Sequence, residues 1–207
     1  MTNIESLTLD VADPASATRF YTAAFGPGLP LEFRSAEPPT SGFRWFTLSL
    51  TVPTPADVKA LVAAALDAGA TELKPVTKSL WGYGGVVRAP DGAIWKVATS
   101  AKKDQGPATG QIDQVVLLLG ATDVGASKRF YTGHGLPVGK SFGKYVEFAI
   151  PSSPVKLGLY GRRALAKDAG VPEEGTGSHR LVIGGDAGAF TDPDGFAWEA
   201  TDRAGSR

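Results

Sequence analysis

The stretch APDGAIWK at residues 89–96 recurs in altered form as DPDGFAWE at residues 192–199. In each copy a Pro-Asp-Gly turn is followed by a tryptophan. Proline fixes one backbone dihedral and glycine accepts the positive φ that closes a hairpin, so the pattern predicts a tight turn whose return strand carries the tryptophan. Because one copy lies near the end of each half of the chain, a structural unit has been duplicated.

A second duplicated motif precedes each hairpin. RFYT occurs at residues 19–22 and at residues 129–132, and an aspartate stands seven residues before the phenylalanine in both copies, at Asp13 and Asp123. Aspartate at that place predicts a helix N-cap, because its carboxylate accepts hydrogen bonds from free backbone N–H groups. A strand pattern precedes each helix. The strand-then-helix unit is therefore duplicated as well.

A segment with almost no large apolar residue separates the two halves. Residues 101–110, AKKDQGPATG, have the composition of a linker. The sequence therefore predicts two domains, residues 1–100 and residues 111–203, each of a size that is common for a single core.

Composition limits the function. The chain has 207 residues, and its 21 Lys and Arg residues balance 21 Asp and Glu residues, which argues against a nucleic-acid partner. No apolar run approaches the ~20 residues that span a bilayer, and the first residues are acidic where a secretory signal would be basic. We therefore expect a cytoplasmic protein with no membrane partner. The chain has no cysteine, so a metal would have to be held by His, Gln, Asp or Glu.

Together these motifs resemble the vicinal oxygen chelate superfamily, which includes glyoxalases, bleomycin-resistance proteins and extradiol dioxygenases. The resemblance rests on the capped helices that carry RFYT, on the helix end DAGA at residues 67–70, and on the hairpins WGYGGVVRAPDGAIWKVA at 81–98 and GAFTDPDGFAWEAT at 188–201. It covers nearly the whole chain. It implies an α+β fold of paired βαβββ modules whose curved mixed sheets form a cup. The chain would hold two tandem domains, each partly abbreviated: the first has lost strands from its leading module and the second a helix from its trailing one.

The resemblance also implies positions for a metal site. In the superfamily an inward side chain on the first strand of each module and a glutamate after the hairpin tryptophan hold a divalent ion in the cup. In the first half these positions are Ser6, Thr47 and Lys96. A protonated lysine has no lone pair to give, and hydroxyls are poor ligands for soft or borderline ions, so we expect the first domain to be metal-free.

In the second half the corresponding candidates are Gln114, His179 and Glu199. An amide oxygen, an imidazole nitrogen and a carboxylate could together hold one divalent ion of Zn, Ni, Mn or Fe and leave coordination positions open. Each residue also has a structural interpretation: Gln114 as a polar strand start, His179 as a strand-end histidine, and Glu199 as a solvent-facing ion-pair partner.

The alignment of the halves leaves the histidine position open. Aligning GFRW at residues 42–45 with SHRL at residues 178–181 places Ile183 opposite Thr47. Strand alternation puts His179 and Ile183 on one face, so either residue could stand at the ligand position.

A further set of residues is predicted to contact a ligand in the cup. These residues are Ser6, Thr47, Trp81, Tyr83 and Lys96. Glycines flank Trp81 and leave its ring open to a ligand. For Lys96 two interpretations remain, namely contact with an anionic ligand or a structural ion pair with Asp10.

Three functions from different classes are compatible with this sequence. The first is a metal-dependent lyase, isomerase or dioxygenase, in which the ion acts as a Lewis acid and Glu199 serves as a catalytic residue in proton transfer or ligation. The second is a metal-free protein that binds a small, flat or oxygenated organic molecule in the cup, as resistance members of the superfamily do. The third is a metal-free enzyme that uses the same cup. Both a monomer and a homodimer are compatible with the duplicated modules.

Overall fold

A computed structural model of the protein describes residues 2–37, 40–80 and 82–201. The first half contains β1 (Ile4–Val11), α1 (Pro14–Phe25), β2 (Leu31–Ser35), β3 (Ser41–Gly42), β4 (Phe46–Thr51), α2 (Pro55–Asp67), β5 (Thr71–Ser79), β6 (Gly82–Arg88) and β7 (Ile94–Thr99). The second half contains β8 (Gln114–Ala121), α3 (Val124–Gly133), β9 (Val138–Phe142), β10 (Tyr145–Phe148), β11 (Val155–Gly161), α4 (Arg162–Ala169), β12 (Gly175–Thr176), β13 (Leu181–Gly185), β14 (Phe190–Thr191) and β15 (Ala197–Ala200).

The larger sheet joins two βαβββ modules. Its eight strands run in the order β5-β6-β7-β4-β8-β11-β10-β9. One module is β4-α2-β5-β6-β7 and the other is β8-α3-β9-β10-β11, and they meet where β4 pairs with β8 in antiparallel fashion. In each module the first strand pairs in parallel with the last, β4 with β7 and β8 with β11.

The smaller sheet joins what is left of two further modules. Its strand order is β14-β15-β13-β1-β2, and β1 pairs antiparallel with β13 as β4 does with β8. Within the described residues the leading module consists of β1, α1 and β2, and the trailing module of β13, β14 and β15. The α+β fold of paired, partly abbreviated modules is thus confirmed. Each of these two sheets takes strands from both halves of the chain, and the division into domains 1–100 and 111–203 stays a prediction.

The N-caps expected from the duplicated aspartates are present. The carboxylate of Asp13 accepts hydrogen bonds from the backbone N–H groups of the first turn of α1, and that of Asp123 does the same for α3. These two helices and α2 pack on one face of the sheets, where a continuous apolar core includes Leu7, Leu48 and Leu117. Helix α4 packs against the other face of the larger sheet.

A buried hydrogen-bond chain connects each RFYT motif to a hairpin. The Tyr21 hydroxyl donates to the Asp91 carboxylate at 2.9 Å and accepts from Trp95 Nε1 at 3.2 Å. In the second copy Tyr131 donates to Asp192 at 2.7 Å, and its hydroxyl accepts from Trp198 Nε1 at 3.2 Å. Burial, with the nearby carboxylate as a further cause, raises the pKa of both tyrosines well above the usual value, so the hydroxyls remain donors.

A buried carboxylate holds the segment between the halves. Asp57, on α2, is fully buried and accepts hydrogen bonds from Thr109 N at 2.6 Å, from Gly110 N at 2.9 Å and from Thr54 Oγ1 at 2.6 Å. Burial by itself would raise the pKa of this carboxyl, but the hydrogen bonds outweigh burial and the pKa of Asp57 is lowered. Residues 101–110 are therefore anchored at their C-terminal end.

We expect Tyr131→Phe to lower the free energy of unfolding by about 1–3 kcal/mol, because Asp192 and the Trp198 N–H lose a buried partner. Urea denaturation measures the change. Tyr83→Phe, at a tyrosine whose hydroxyl has no described hydrogen bond, is the matched control and should change stability by less than about 0.5 kcal/mol. If both substitutions changed the free energy of unfolding equally, the stabilising role of the Trp198–Tyr131–Asp192 hydrogen bonds would be contradicted.

We expect Asp57→Asn to lower the free energy of unfolding by about 1–3 kcal/mol at pH 6, because an amide cannot accept the same set of charge-assisted hydrogen bonds. The folded-state pKa of Asp57 lies below the usual value of 3.8, so this stabilisation is present above pH 3.8 and is lost as the pH falls through the folded-state pKa. Urea denaturation of both proteins from pH 6 down to pH 3 should show the difference shrinking at the acid end. A difference independent of pH would contradict the assignment.

Candidate functional site

The face of the larger sheet that points away from the core corresponds to the cup implied by the resemblance. We call it the outer face. Side chains alternate along each strand, so the outer face carries residues that alternate with the buried apolar ones. On β4, Ser49 lies beside Lys96 of β7, and Thr51 lies between Ala98 of β7 and Gln114 of β8.

Helix α4 covers the centre of the outer face. It follows β11 directly, and Leu165, Ala166 and Ala169 pack onto an apolar patch of the sheet and its edges. The patch consists of Phe43, Val86, Ile94, Leu118 and Tyr160, with contributions from Trp45, Leu73 and Val171. A cavity remains at each end of the helix.

The cavity at the C-terminal end of α4 has a volume of about 820 Å³. We call it the sheet cavity. Its lining combines hydroxyl groups of Thr51, Thr77 and Ser79 with the Gln114 amide and the Lys96 ammonium group. Two of the residues that the sequence predicted as ligands or contacts, Lys96 and Gln114, therefore lie around one cavity. Tyr83 of β6 also reaches the lining, but its ring packs against the core and lies under Lys59 of α2.

Two lysines fasten α4 at this cavity. Lys96 Nζ lies 2.8 Å from Asp168 Oδ2, and both side chains are partly exposed, at 35% and 42%. Lys74 Nζ donates to the backbone carbonyls of Lys167 at 2.9 Å and Asp168 at 2.6 Å, and so satisfies carbonyl groups at the helix end. The ion-pair interpretation of Lys96 fits, but the partner expected from the sequence was wrong: Asp10 accepts from Arg34 Nε at 2.9 Å.

The other predicted contact residues lie elsewhere. Thr47 is on the outer face, but it is buried at 5% exposure and pairs with Leu118, against which α4 packs. Ser6 is on β1 of the smaller sheet. Trp81 lies outside the described residues.

Gln114 and Glu199 are on different sheets, because Glu199 belongs to β15 of the smaller sheet. The Glu199 side chain is 59% exposed, and its Oε1 lies 3.4 Å from Arg34 Nη1. This geometry matches the interpretation of Glu199 as a solvent-facing ion-pair partner.

Both ring nitrogens of His179 lie within hydrogen-bond distance of backbone carbonyl oxygens, and the nitrogen that carries the proton donates to its carbonyl. Nδ1 lies 3.0 Å from the Arg44 oxygen and Nε2 lies 2.9 Å from the Asp194 oxygen, while the ring stacks on Phe196 with centroids 4.0 Å apart. A metal ligand needs a free nitrogen lone pair, and both nitrogens already face carbonyl oxygens. His179 therefore serves to tie two loops together, and the structure does not bring it to Gln114 or Glu199.

The predicted alignment of the two halves was wrong by one residue. Trp45 and Arg180 both have positive φ, 65° and 59°, just before β4 and β13. Their carbonyl oxygens accept equivalent hydrogen bonds, from the Gly120 and Asp10 amides respectively. His179 is thus the counterpart of Arg44, because each directly precedes the positive-φ residue. A shift of one residue reverses the face of every side chain in the strand.

The residues at the implied ligand positions do not fit a divalent ion. On the larger sheet Lys96 is already paired with Asp168, and on the smaller sheet Glu199 is paired with Arg34. Over residues 2–37, 40–80 and 82–201, no group of three or more His, Asp or Glu side chains could hold a metal ion.

Helix α4 was not predicted from the sequence. Its signal is the stretch RRALAKDAG at residues 162–170, in which Leu165, Ala166 and Ala169 fall on one helical face and Gly170 ends the helix with φ of 77°.

Comparison with solved structures supports this architecture. No protein-family model and no curated protein matches this chain. Among solved structures, a mutant of glyoxalase I from Zea mays is 15% identical over 98% of this chain and 92% of that chain, with a TM-score of 0.59. Glyoxalase I from Zea mays is 14% identical over 90% of this chain and 75% of that chain, with a TM-score of 0.58. The chain has the fold of the vicinal oxygen chelate superfamily, as the sequence motifs implied.

The helices of the described ranges include none that is long and apolar enough to cross a membrane.

The Lys96–Asp168 ion pair is expected to be weak, because both side chains are partly exposed to solvent. A double-mutant cycle with Lys96→Met and Asp168→Asn should give a coupling energy of about 0.2–1 kcal/mol in urea denaturation. Glu72→Gln, at an exposed glutamate with no described ion pair, is the control for loss of one negative charge. A coupling energy above about 2 kcal/mol would contradict the expectation that the Lys96–Asp168 ion pair is weak.

Proposed function

We propose that this protein binds a small oxygenated organic molecule in the sheet cavity and does so without a resident divalent ion. The observation that carries the proposal is the cavity itself, about 820 Å³ on the outer face of a sheet built from two complete modules. Pockets for small organic ligands usually measure about 300–1,000 Å³.

The lining supports an oxygenated ligand. Thr51 and Thr77 bring hydroxyl groups that donate or accept, and the Gln114 amide does both. Lys96 adds an ammonium group that is held by a single partly exposed carboxylate, so a ligand oxygen can share it or replace that carboxylate. Groups of this kind orient a ligand, while its apolar part contacts carbon atoms of the lining.

The floor of the cavity favours a flat ligand. Gly84 of β6 lies in the lining and pairs with Ala98 of β7. Where side chains are absent or small, a planar molecule can approach the strands closely. A Cβ added at Gly84 would meet the Ala98 Cβ at 3.5 Å, an ordinary contact, so this floor can be filled by substitution.

Catechol, a planar molecule with two adjacent oxygens, is a suitable probe. We expect saturable chemical-shift changes at the amides of Thr51, Ala98 and Gln114 when catechol is titrated into the ¹⁵N-labelled protein. Gly84→Leu should weaken catechol binding by about tenfold or more, because the new side chain occupies the floor of the cavity.

Gly133→Leu is the matched control, since nothing lies within 4 Å of a Cβ at that position and Gly133 is not in the lining. It should bind catechol as the unsubstituted protein does. Chemical-shift changes that cluster elsewhere would contradict the proposed site, and so would catechol binding that survives Gly84→Leu. The absence of saturable shift changes would contradict the proposal of a flat ligand.

A further inference from the structure

A crevice lies at the other end of α4, with a volume of about 790 Å³. It is formed where β8 and β11, which are parallel neighbours, both end. Helix α3 leaves β8 toward the core face of the sheet, whereas α4 leaves β11 toward the outer face. Two parallel strands whose following helices diverge in this way open a crevice beyond their carboxyl ends, and open α/β sheets bind ligands at such places.

The lining of the crevice is strongly cationic. Its cationic side chains are Lys128, Lys144, Arg162, Arg163 and Lys167, and its carboxylates are Asp123 and Glu173. The Asp123 carboxylate already accepts from two backbone amides of α3, at 2.9 and 3.0 Å. Five cationic residues therefore line the crevice against two carboxylates.

Most of these cations lack a carboxylate partner. Arg162 Nη2 lies 3.2 Å from Asp194 Oδ1. For the other four, the described part of the chain contains no ion pair. Like charges gathered in one concave site repel one another, and an anion bound among them relieves that repulsion.

The start of α4 adds to this arrangement. Gly161 provides no side-chain cap, and the first turn carries Arg162 and Arg163 rather than an acidic residue. Positive charge at a helix N-terminus is unfavourable, because the free N–H groups there already give that end a partial positive charge. In addition, the buried Nε of Arg162 has no hydrogen-bond partner.

We propose that this crevice binds the phosphate or diphosphate group of a small molecule. Several converging cations suit a multiply charged anion better than a single carboxylate, and arginine and lysine are the side chains that most often contact phosphate. The volume fits a small phosphate ester. This site is separate from the sheet cavity and does not depend on the function proposed there.

Inorganic pyrophosphate tests the proposal at constant ionic strength. We expect saturable shift changes at the amides of Val124, Gly125, Arg163 and Ala164 in the ¹⁵N-labelled protein. The double variant Arg163→Gln with Lys167→Gln should raise the Kd for pyrophosphate by about tenfold or more, since two charge-assisted contacts are lost. Both side chains are exposed, so folding should be retained.

The matched control is Lys102→Gln with Lys103→Gln, which removes the same charge from exposed residues that do not line the crevice. It should leave the Kd within about twofold. Equal weakening by both double variants, shifts scattered over the surface, or no saturable shift in the unsubstituted protein would each overturn the proposal.

Discussion

The buried hydrogen-bond chain of tryptophan, tyrosine and aspartate is the constraint on which the rest of the structure depends. Tyr21 lies on the helix of the smaller sheet's leading module. Its partners are Trp95 on β7 of the larger sheet and Asp91 in the turn before β7. The second chain runs the opposite way, from α3 of a large-sheet module to β15 of the small sheet and the turn before it. Because a buried polar group without a partner is costly, the two chains together penalise any other packing of the sheets.

The local parts of the fold could be predicted from the sequence because they depend on neighbouring residues. Asp13 and Asp123 cap their helices, and each Trp returns on a strand after its turn, as expected. The long-range parts could not be predicted in the same way. In the first hairpin the aspartate of Pro-Asp-Gly binds the tyrosine, whereas in the second Asp192 takes that role and Asp194 binds Thr122 and Arg162 instead. The Pro-Asp-Gly turn that both hairpins share does not distinguish the two uses. The residue before the turn does, because Ala89 stands where the second hairpin has Asp192.

The candidate site shows the same division between local and long-range information. Lys96 and Gln114 are polar residues on predicted strands, and strand pairing brings both to one cavity. Tyr83 lies on a neighbouring strand, but its ring faces the core. To bring the predicted metal ligands together, the strand register had to be correct between residues that are far apart in the sequence. Arg180, which has positive φ directly before β13, interrupts the strand alternation that was expected to run from His179 to Ile183. Strand alternation therefore does not place His179 on the face of Ile183.

Helix α4 has eight residues and is about 12 Å long, so the two cavities at its ends are separated by little more than one rigid element. Its C-terminal turn is held by Lys74 and Lys96, and its N-terminal turn brings Arg163 to the crevice. A ligand at one end of α4 that favours a new position of the helix would change the affinity of the other cavity for its own ligand. The second ligand would in turn change the affinity for the first ligand by the same factor. Because α4 contributes to the lining of both cavities, a ligand that displaces the helix at one cavity would also move the lining of the other.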